Sequence, residues 1–587
     1  MTTSADIAST ENTNSYAARI GWAVLICATL YVCYFSHLGA IGFVGPDEPR
    51  YAWIARDMAE TGDWVTPRLY GKPWFEKPPL YYWGAAISFK LFGVSEAAAR
   101  LPSAISALLA TLAMAWLAWR IYGGETARWL LLLLPTTVGM IGFSHAAATD
   151  MPFSAMLTIA MVWGAVVISL VPAKSSGHGV QPSLDSARDK TAPLRGENDT
   201  TRQQSLALIL FGFFLGLAVL AKGPAAIILC GGAVFFWALF AKRWRDALRV
   251  LHPAAVAAFC VTALPWYILC ARRNPDFFRI FIIEHNFKRY VTPEFQHIQS
   301  FWFYLPVLFV ALYPWIGMTI SSITSLFRRK IGTQLDNAAS YILCWAVFPV
   351  IFFSISKSKL PGYVLPAIPA LVLLTALALA RALRAERVPI QPGLVVTALT
   401  PVAALAVIGL FEYFQPLMKT AEFYAYAREC LLLGCLALVA ILALSIRKKY
   451  SASILVGLVA WVCLLILTYS APLPSVDSWF SPRPIAFTVL SDHQMAAEVR
   501  TFRLQRGWQF GLNFYLRREL QEWNPAEPAG CVLVSPIGIQ ELRRTRISFR
   551  VLDDSSVSAI LIRVDISENR SKNATAPPSS HRITKMS

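Results

Sequence analysis

Long runs without a single charged residue recur along this chain. Three examples are Ala207–Leu220, Ile227–Phe240 and Leu365–Ala380. A run of this length can satisfy its backbone polar groups in a hydrocarbon layer only as a helix. The chain is 56% hydrophobic and only 15% charged, whereas a soluble domain carries about a quarter of its residues as charges. The sequence therefore predicts a mainly α, polytopic membrane protein.

The apolar runs predict about thirteen membrane-spanning helices. Short loops rich in lysine and arginine, such as "KRWRDALR" (Lys242–Arg249) and "RKK" (Arg447–Lys449), fall on one face of this arrangement. The positive-inside rule makes that face cytoplasmic. The N-terminus shares it, so an odd number of spans exports the C-terminal tail. The expected spans are 19–39, 98–121, 127–145, 152–171, 205–221, 224–241, 249–270, 303–326, 338–355, 362–381, 393–413, 427–446 and 452–470.

The composition of the remaining segments predicts the domain boundaries of the chain. Polar residues 1–18 are expected to be a cytoplasmic segment without a cleavable signal peptide. The membrane domain then covers 19–470, with a first exported loop at 40–97. Residues 172–204 are rich in Ser, Pro and Gly and predict a flexible cytoplasmic insertion. The runs "GCVLVSP" and "SAILIRVDI", with a helical stretch near Met495–Gln505, predict a small exported α/β domain over 471–565, followed by a disordered tail at 566–587.

The first loop is too long and too charged to be a simple connector. Val44–Trp83 reads "VGPDEPRYAWIARDMAETGDWVTPRLYGKPWFEKPPLYYW", and loops of such length are usually functional. Asp47 and Glu48 open it, and two adjacent carboxylates repel each other unless cations neutralise them. The stretch "RYAWIARDMAETG" has the spacing of an interfacial amphipathic helix that ends at Gly62.

Further segments fall on the same exported face and carry basic residues against the positive-inside bias. They are "SHAAATDMP", "AKGP", "ARRNPDFFRIFIIEHNFKRY" and "SKSKLPGY". Binding an anion is the simplest reason for exported lysines and arginines, because these side chains pair with phosphate oxygens. The alternative is that each one anchors a helix end at lipid head groups. Tyr81, Tyr82 and Tyr363 add hydroxyl groups on rings suited to a bilayer interface. Together they predict a pocket for an amphipathic phosphate.

Asp150 admits two interpretations. A carboxylate at membrane depth is costly and is functional by default. Alternatively, Asp150 is a helix N-cap ahead of Met151 and Pro152. The formal charge of +18 would suggest nucleic acid in a soluble protein, but here the basic residues lie in loops between spans, and we expect no nucleic-acid partner. The ten cysteines contain no CxxC pair, so neither a zinc site nor a disulfide framework is indicated.

Several motifs in order resemble one family. "PDEPRYAWIARDMAETGDWVTPRLYGKPWFEKPPLYYW", "TDMPF", "LAKGP", "RRNPDFFRIFIIEHNFKRY", "FWFYLPVL" and "FFSISKSKLPGYVLPAIPAL" are similar to segments of the GT-C class of polyprenyl-phosphate-sugar glycosyltransferases. The resemblance is closest to the aminoarabinose transferases of lipid A modification, within the dolichyl-phosphate-mannose protein mannosyltransferase superfamily. It extends to about residue 370, and 393–587 matches only loosely.

The resemblance implies a reaction and a set of residues. A sugar would move from undecaprenyl phosphate to lipid A or another glycolipid at the periplasmic face of the bacterial inner membrane. The residues themselves give no support for a metal cofactor, although two carboxylates near a phosphate leave one possible. Asp47 would be the family's first-loop catalytic acid and Asp150 its second acid, with Glu48 beside the first. The resemblance assigns substrate binding to Glu76, Lys77, Arg272 or Arg273, His285, Lys357, Lys359 and Tyr363. The residue types and their positions on the exported face add Arg50, Tyr51 and Tyr82 to this set.

Three alternatives stay open at the level of sequence. Asp47 would position a sugar ammonium or an oxocarbenium ion if the acceptor is a phosphate, but would act as a general base if the acceptor is a hydroxyl. The sugar could be another one, such as mannose, transferred to protein or glycolipid. A proton-coupled transporter is the rival class; against it, the charges gather on one face and no internal repeat is evident.

Overall fold

The computed structural model describes residues 4–171, 194–288, 299–328, 337–384, 421–470, 477–525, 527 and 530–564. The chain divides into two units. The first, here the helical unit, consists of Met1–Leu38, Ile54–Arg68 and Lys72–Pro472. The second, here the α/β unit, consists of Gly39–Trp53, Leu69–Gly71 and Leu473–Ser587. The α/β unit therefore contains the start of the first loop, including Asp47, as well as the C-terminal part of the chain.

Long apolar helices dominate the helical unit. Within the described ranges, nine helices are long and apolar enough to cross a membrane, which makes the chain a multi-pass membrane protein. Their candidate spans are Tyr16–Tyr34, Glu96–Tyr122, Asp150–Val167, Arg202–Lys222, Trp244–Arg273, Asn337–Ile355, Pro361–Arg384, Arg428–Ile446 and Tyr450–Ser470.

Two expected spans are broken. The span predicted at 127–145 consists of Gly124–Leu133 and Val138–Ser144, bent by 62°. The span predicted at 303–326 consists of Phe301–Ala311 and Ile316–Thr324, bent by 116°. A proline lies in each break, Pro135 and Pro314, and proline removes a backbone donor and clashes with the preceding turn.

The count of thirteen spans stays a prediction. Counting each bent pair as one span gives up to eleven spans among the described residues. The helix at Ala225–Ala241, predicted as 224–241, is apolar but shorter. The span predicted at 393–413 lies outside the described residues.

Two predicted boundaries differ from those of the structure. The first helix runs from Ser4 to Tyr34, and its candidate span, Tyr16–Tyr34, ends before residue 39. Residues 194–204, predicted to belong to a flexible insertion, form the start of the helix Leu194–Lys222. No proline interrupts that helix, and a helix nucleated in its apolar part extends at low cost into adjoining polar residues. Residues 172–193 lie outside the described part.

Two spans lie deepest in the helical unit. Asp150–Val167 and Pro361–Arg384 each have an apolar window that is 89% buried. Asp150–Val167 packs against Leu194–Lys222 and Glu96–Tyr122. The N-terminal ends of these two enclosed spans carry Asp150 and Tyr363, so the candidate residues sit on rigid, well-packed elements.

The first loop contains the predicted amphipathic helix. This helix, Asp47–Thr61, ends at Thr61, and Gly62 follows with a φ of +74°.

The remaining elements before residue 471 complete the described part. The helices are Leu80–Phe92, Trp244–Ala247, Pro253–Arg273, Tyr304–Ala311, Ile316–Arg328, Ile368–Arg384 and Ala421–Ile446. The other elements are the 3-10 turns Leu248–Leu251, Phe301–Phe303 and Pro361–Ala367, a π-helical stretch Arg279–Lys288, and the strands Arg68–Leu69 and Lys72–Pro73.

The α/β unit contains a four-stranded sheet. In spatial order its strands are Arg500–Phe502, Cys531–Val534, Ile560–Val564 and Phe549–Asp553, the first pair parallel and the others antiparallel. The two β-like runs seen in the sequence form its central strands. The helix predicted near Met495–Gln505 is wrong in its second half, because strand pairing takes Arg500–Phe502 into the sheet. The helices of this unit after residue 476 are Asp477–Phe480, Arg483–Leu490, His493–Glu498, Arg506–Tyr515 and Pro536–Arg544.

Candidate functional site

The carboxylate of Asp150 forms an ion pair with Lys222. Lys222 Nζ lies 2.5 Å from Asp150 Oδ1, and only 12% of the lysine side chain and 22% of the aspartate side chain are exposed. Asp150 is the first residue of Asp150–Val167 and Lys222 the last of Leu194–Lys222. The helix N-cap is Thr149, which makes no side-chain capping bond. The N-cap interpretation of Asp150 is therefore wrong, because Thr149 occupies that position and the carboxylate of Asp150 pairs with Lys222 instead.

The segment Leu360–Tyr363 packs against this ion pair. Lys222 Nζ lies 4.8 Å from the centroid of the Tyr363 ring and 5.4 Å from that of Phe153. A Cβ added to Gly362 would collide with Asp150 Oδ1. Only glycine allows the backbone to approach the carboxylate this closely. Three motifs far apart in sequence, "TDMPF", "LAKGP" and "KLPGY", therefore meet at one point.

Lys359 is a buried ammonium in an open pocket. Its side chain is 5% exposed, and Nζ donates to the carbonyl oxygens of Ser356, at 2.5 Å, and Gln299, at 3.0 Å. No carboxylate of a described residue lies within ion-pair distance of it. Burial lowers its pKa below the usual 10.5. The pocket has a volume of about 540 Å³ and is lined by Gln299, Phe301, Ser354, Ile355, Ser356, Lys357 and Lys359, of which Lys357 is exposed.

The predicted Glu76 and Lys77 pair with each other. Lys77 Nζ lies 3.6 Å from Glu76 Oε1, and both side chains are largely buried. The preceding Phe75 packs edge-to-face on Phe277 at 5.2 Å, which joins this part of the first loop to the segment after Pro253–Arg273. Tyr82 is fully buried.

Arg273 has a partner in the first loop. Its Nη1 donates to Asp63 Oδ1 at 3.0 Å, and Asn274 donates to Thr66 Oγ1 at 3.0 Å. Burial alone would raise the pKa of Asp63, but hydrogen bonds from two backbone amides and the charges of Arg273 and Arg68 outweigh it and lower the pKa. Arg273 thus ties the loop to a helix end.

The neighbours of Arg273 in the predicted set have no such contact. Arg272 is exposed and has no ion pair with a described residue. His285 lies on the π-helical stretch Arg279–Lys288, and its side chain is outside the described part. The roles assigned to Arg272 and His285 stay predictions.

In the α/β unit, Asp47 is held by Arg50. Arg50 Nη2 lies 2.5 Å from Asp47 Oδ1, with 5% of the arginine side chain but 51% of the aspartate side chain exposed. The guanidinium carbon of Arg50 lies 5.3 Å from the ring centroid of Tyr51. Glu48 is buried, and its Oε2 accepts a hydrogen bond from the backbone N–H of Val44 at 2.8 Å. Glu48 therefore stabilises the loop backbone, whereas its catalytic role stays a prediction.

Sequence reasoning missed residues that hold the loop before Asp150. His145 Nε2 lies 2.9 Å from the Ser36 carbonyl oxygen, and Ser103 Oγ donates to the Ala146 carbonyl oxygen at 2.7 Å. The His145 ring stacks on Tyr469 at 5.6 Å. In the sequence, Lys222 appeared only as one of several exported cations. For His145, the only feature that could have indicated a structural role was its position in the motif that leads to Asp150.

The described residues contain no group of three or more His, Cys, Asp or Glu side chains that could hold a metal ion. The charged groups brought together in the helical unit are instead lysines and carboxylates. Such a set suits a negatively charged ligand.

The chain resembles known proteins in sequence and in fold. Two family models described as dolichyl-phosphate-mannose-protein mannosyltransferase match residues 76–169 and 191–281. The undecaprenyl phosphate-alpha-4-amino-4-deoxy-L-arabinose arabinosyl transferase of Edwardsiella ictaluri is 32% identical over 358 residues, which cover 61% of this chain and 59% of that protein. The enzyme of the same name from Serratia proteamaculans is 30% identical, with the same coverage. The chain thus aligns with about 59% of the length of these relatives.

The fold has a solved counterpart. The crystal structure of ArnT from Cupriavidus metallidurans bound to undecaprenyl phosphate superimposes with a TM-score of 0.71 at 23% identity, covering 93% of this chain and 98% of that one. Its apo structure gives the same values. The motifs, the family models and this fold agree. The chain is similar to the dolichyl-phosphate-mannose-protein mannosyltransferases over the two matched segments and to the aminoarabinose transferases over 61% of its length, and it shares the fold of ArnT.

Proposed function

We propose that this protein is a glycosyltransferase that moves 4-amino-4-deoxy-L-arabinose from undecaprenyl phosphate to a phosphate of lipid A. The reaction takes place at the periplasmic face of the bacterial inner membrane. The observation that carries the proposal is the largely buried Asp150–Lys222 pair, which lies against Tyr363 in a multi-pass membrane protein. The relatives at about 30% identity that bear this activity in their names support the choice of sugar and carrier.

Sugar transfer from a lipid-linked phosphate depends more on cations that stabilise the leaving phosphate than on a general base. The bond between the sugar's anomeric carbon and the carrier phosphate oxygen breaks, and an acceptor oxygen bonds to that carbon. Undecaprenyl phosphate leaves with one more negative charge than it had as a diester. Preorganised positive groups that stabilise the growing charge contribute most to such a step. Lys222 and Lys359 are assigned this task, and the proposal includes no metal.

Lys359 suits a phosphate for a physical reason. An ammonium buried to 5% exposure with only carbonyl partners lacks a neutralising charge among the described residues, and isolated buried charges are unfavourable. An anion in the adjoining pocket would restore its charge balance. Lys357 lines the same pocket and is accessible to a ligand.

An apolar groove adjoins the Asp150 site. It has a volume of about 620 Å³, and its wall includes Phe143, Pro361 and Val364, which flank Gly362 and Tyr363 in space or sequence. A groove of this composition accommodates a hydrocarbon chain, as apolar pockets in general do. We assign it to the isoprenoid tail, so that the carrier would place its phosphate near the cations and its tail along the groove.

Asp47 is assigned to the sugar. The carboxylate of Asp47 is half-exposed and held by Arg50, and a fixed negative group attracts an ammonium or an oxocarbenium ion. With a phosphate acceptor, which is already anionic, no general base is needed. The second candidate function is transfer of another sugar to protein or glycolipid, favoured by the mannosyltransferase family models; there Asp47 would act as a base on a hydroxyl.

Mass spectrometry of lipid A tests the proposal. Cells that lack their own aminoarabinose transferase would express the wild type, Asp150→Asn, or the control Glu541→Gln, which removes a solvent-exposed ion pair with Arg503. A pentosamine increment is expected with the wild type and the control but not with Asp150→Asn. An unmodified lipid A together with a new sugar on protein or another glycolipid would favour the second candidate. No transfer to any acceptor would reject the enzyme class.

A further inference from the structure

The chain that leads to Asp47 is held by residues more than 400 positions later. Arg483 donates to the carbonyl oxygens of Gly39, at 3.0 Å, and Ala40, at 2.9 Å. The backbone N–H of Gly42 donates to Asp477 Oδ1 at 2.7 Å. Asp477 also pairs with Arg483 at 2.7 Å, and both side chains are largely buried. This buried pair therefore fixes the backbone that emerges from the first span.

The backbone before Asp47 is closely packed at two glycines, Gly42 in the segment itself and Gly507 on the helix beside it. A Cβ on Gly42 would lie 2.7 Å from the Tyr515 hydroxyl and would collide with Ser481 Oγ. A Cβ on Gly507 would lie 3.0 Å from the carbonyl carbon of Gly45. The backbone of the helix Arg506–Tyr515 thus rests directly on the turn, since only a glycine allows such an approach.

A side chain of the same helix reaches the group that holds Asp47. The guanidinium carbon of Arg50 lies 5.7 Å from the ring centroid of Phe510, and Nη2 of the same guanidinium donates to Asp47 Oδ1. The negative face of an aromatic ring attracts a cation at this distance. Arg50 is thereby held between the ring and the carboxylate, and its rotation would displace Asp47.

We propose that the helix Arg506–Tyr515 is a positioning element for sugar transfer, with Phe510 as the positioning residue that acts through Arg50 on Asp47. The inference rests on the proposed function because it takes Asp47 as a group that faces the sugar. It gives the C-terminal α/β domain a task in the reaction. A carboxylate on a rigid support keeps its orientation when the substrate binds, which groups on mobile loops do not.

If the Phe510 ring acts through its contact with Arg50, two substitutions of Phe510 should have different effects. Phe510→Tyr keeps the ring face, whereas Phe510→Leu keeps an apolar side chain but removes the π-system. We expect Phe510→Leu to lower kcat about tenfold, the scale of one cation–π contact together with a misplaced group, with KM for the lipid-linked donor unchanged. Phe510→Tyr, which keeps the ring, should retain a kcat within about twofold of that of the wild type.

The matched control is Phe480→Ala in the same unit. Phe480 is 51% exposed and makes no aromatic or cation–π contact with the segment before Asp47. It should leave kcat and KM unchanged. Near-wild-type kcat for Phe510→Leu would overturn the proposal. Equal losses for the tyrosine and leucine variants would overturn it as well, because they would make Phe510 a packing residue only.

A second readout does not depend on turnover. Hydrogen exchange of the purified full-length protein in detergent should show faster exchange of the backbone amides from Gly42 to Trp53 in Phe510→Leu, and no change in Phe480→Ala. Unchanged exchange in Phe510→Leu would reject the positioning link even if transfer is observed. If exchange is faster in Phe510→Leu but the wild type transfers no sugar, the contact of Phe510 with Arg50 would still be shown to hold the segment, and the proposed function would be rejected instead.

Discussion

Asp150 and Lys222 lie 72 residues apart in the chain, yet their charged atoms are 2.5 Å apart at the ends of two packed helices. Either charge alone would be unfavourable at this depth, because the low-dielectric surroundings replace water. The pair therefore stabilises the packing of Asp150–Val167 on Leu194–Lys222 while it keeps an ammonium beside the Tyr363 ring. Its structural and proposed catalytic roles can be separated by substitution.

Lys222→Met should destabilise the protein and abolish transfer. Removing one partner leaves the carboxylate of Asp150 buried without its cation, and we expect a loss of about 1.5–3 kcal/mol in the free energy of unfolding. The double variant Lys222→Met, Asp150→Asn should regain most of that stability but no activity. Thermal unfolding in detergent and lipid A mass spectrometry measure the two effects. Full activity of the double variant would contradict the site.

Gly362→Ala should impair transfer with little loss of protein. Its new Cβ collides with Asp150 Oδ1, so the carboxylate must move away from Lys222. We expect a decrease of about two orders of magnitude in transfer, as for a catalytic group displaced by about 1 Å. Gly231→Ala is the control, because a Cβ there meets nothing within 4 Å. Equal activity of the two variants would show that the Gly362 backbone has room to shift.

Lys359→Gln should weaken binding of undecaprenyl phosphate by about one to two orders of magnitude, since a charge-assisted hydrogen bond contributes roughly 1.5–3 kcal/mol. Lys90→Gln, at an exposed lysine near another helix end, should bind as the wild type does. Binding assays with the purified proteins decide this. Because burial lowers the pKa of Lys359 below 10.5, affinity in the wild type should also fall with rising pH before an exposed lysine would lose its proton. Unaltered affinity in Lys359→Gln would make this lysine an anchor for a helix end.

His145 should make the protein less stable in acid. Burial lowers its pKa below the usual 6.5, against the opposing effect of carbonyl oxygens of Ser36 and Ile141, with Arg100 and His37 nearby. The unfolded chain therefore takes up the proton first, and the folded state loses stability as the pH falls below about 6.5. Melting temperatures between pH 7.5 and 5 should decline more in the wild type than in His145→Gln. Parallel declines would assign the acid sensitivity to other groups.

The C-terminus is predicted to be exported. A reporter that is active only outside the cytoplasm should be active when fused after Val564 and inactive when inserted near Ser183. The reason is the bias of lysine and arginine toward the other face. The reverse pattern would place the basic loops outside and remove the basis for an exported anion site.

The order of motifs predicted which segments meet, but not which atoms do. "TDMPF", "LAKGP" and "KLPGY" were all expected on one face, and they do converge on Asp150. The same reasoning assigned Arg272 or Arg273 to the carrier phosphate, which stays a prediction, but it did not foresee that the Arg273 side chain binds Asp63, 210 residues earlier. Charge type and membrane side are visible in a sequence, but the choice between a ligand and a carboxylate of the same chain depends on distances of a few ångströms.

The sequence by itself determined the features that depend on local periodicity and composition. These are the apolar spans, the amphipathic helix that ends before Gly62, and the strands at Cys531–Val534 and Ile560–Val564. Only the tertiary structure decided the bends at Pro135 and Pro314, the strand at Arg500–Phe502, and the contact of Phe510 with Arg50. Each of these depends on packing between segments far apart in the chain, because neighbouring elements override weak local preferences and supply partners that no sequence window contains.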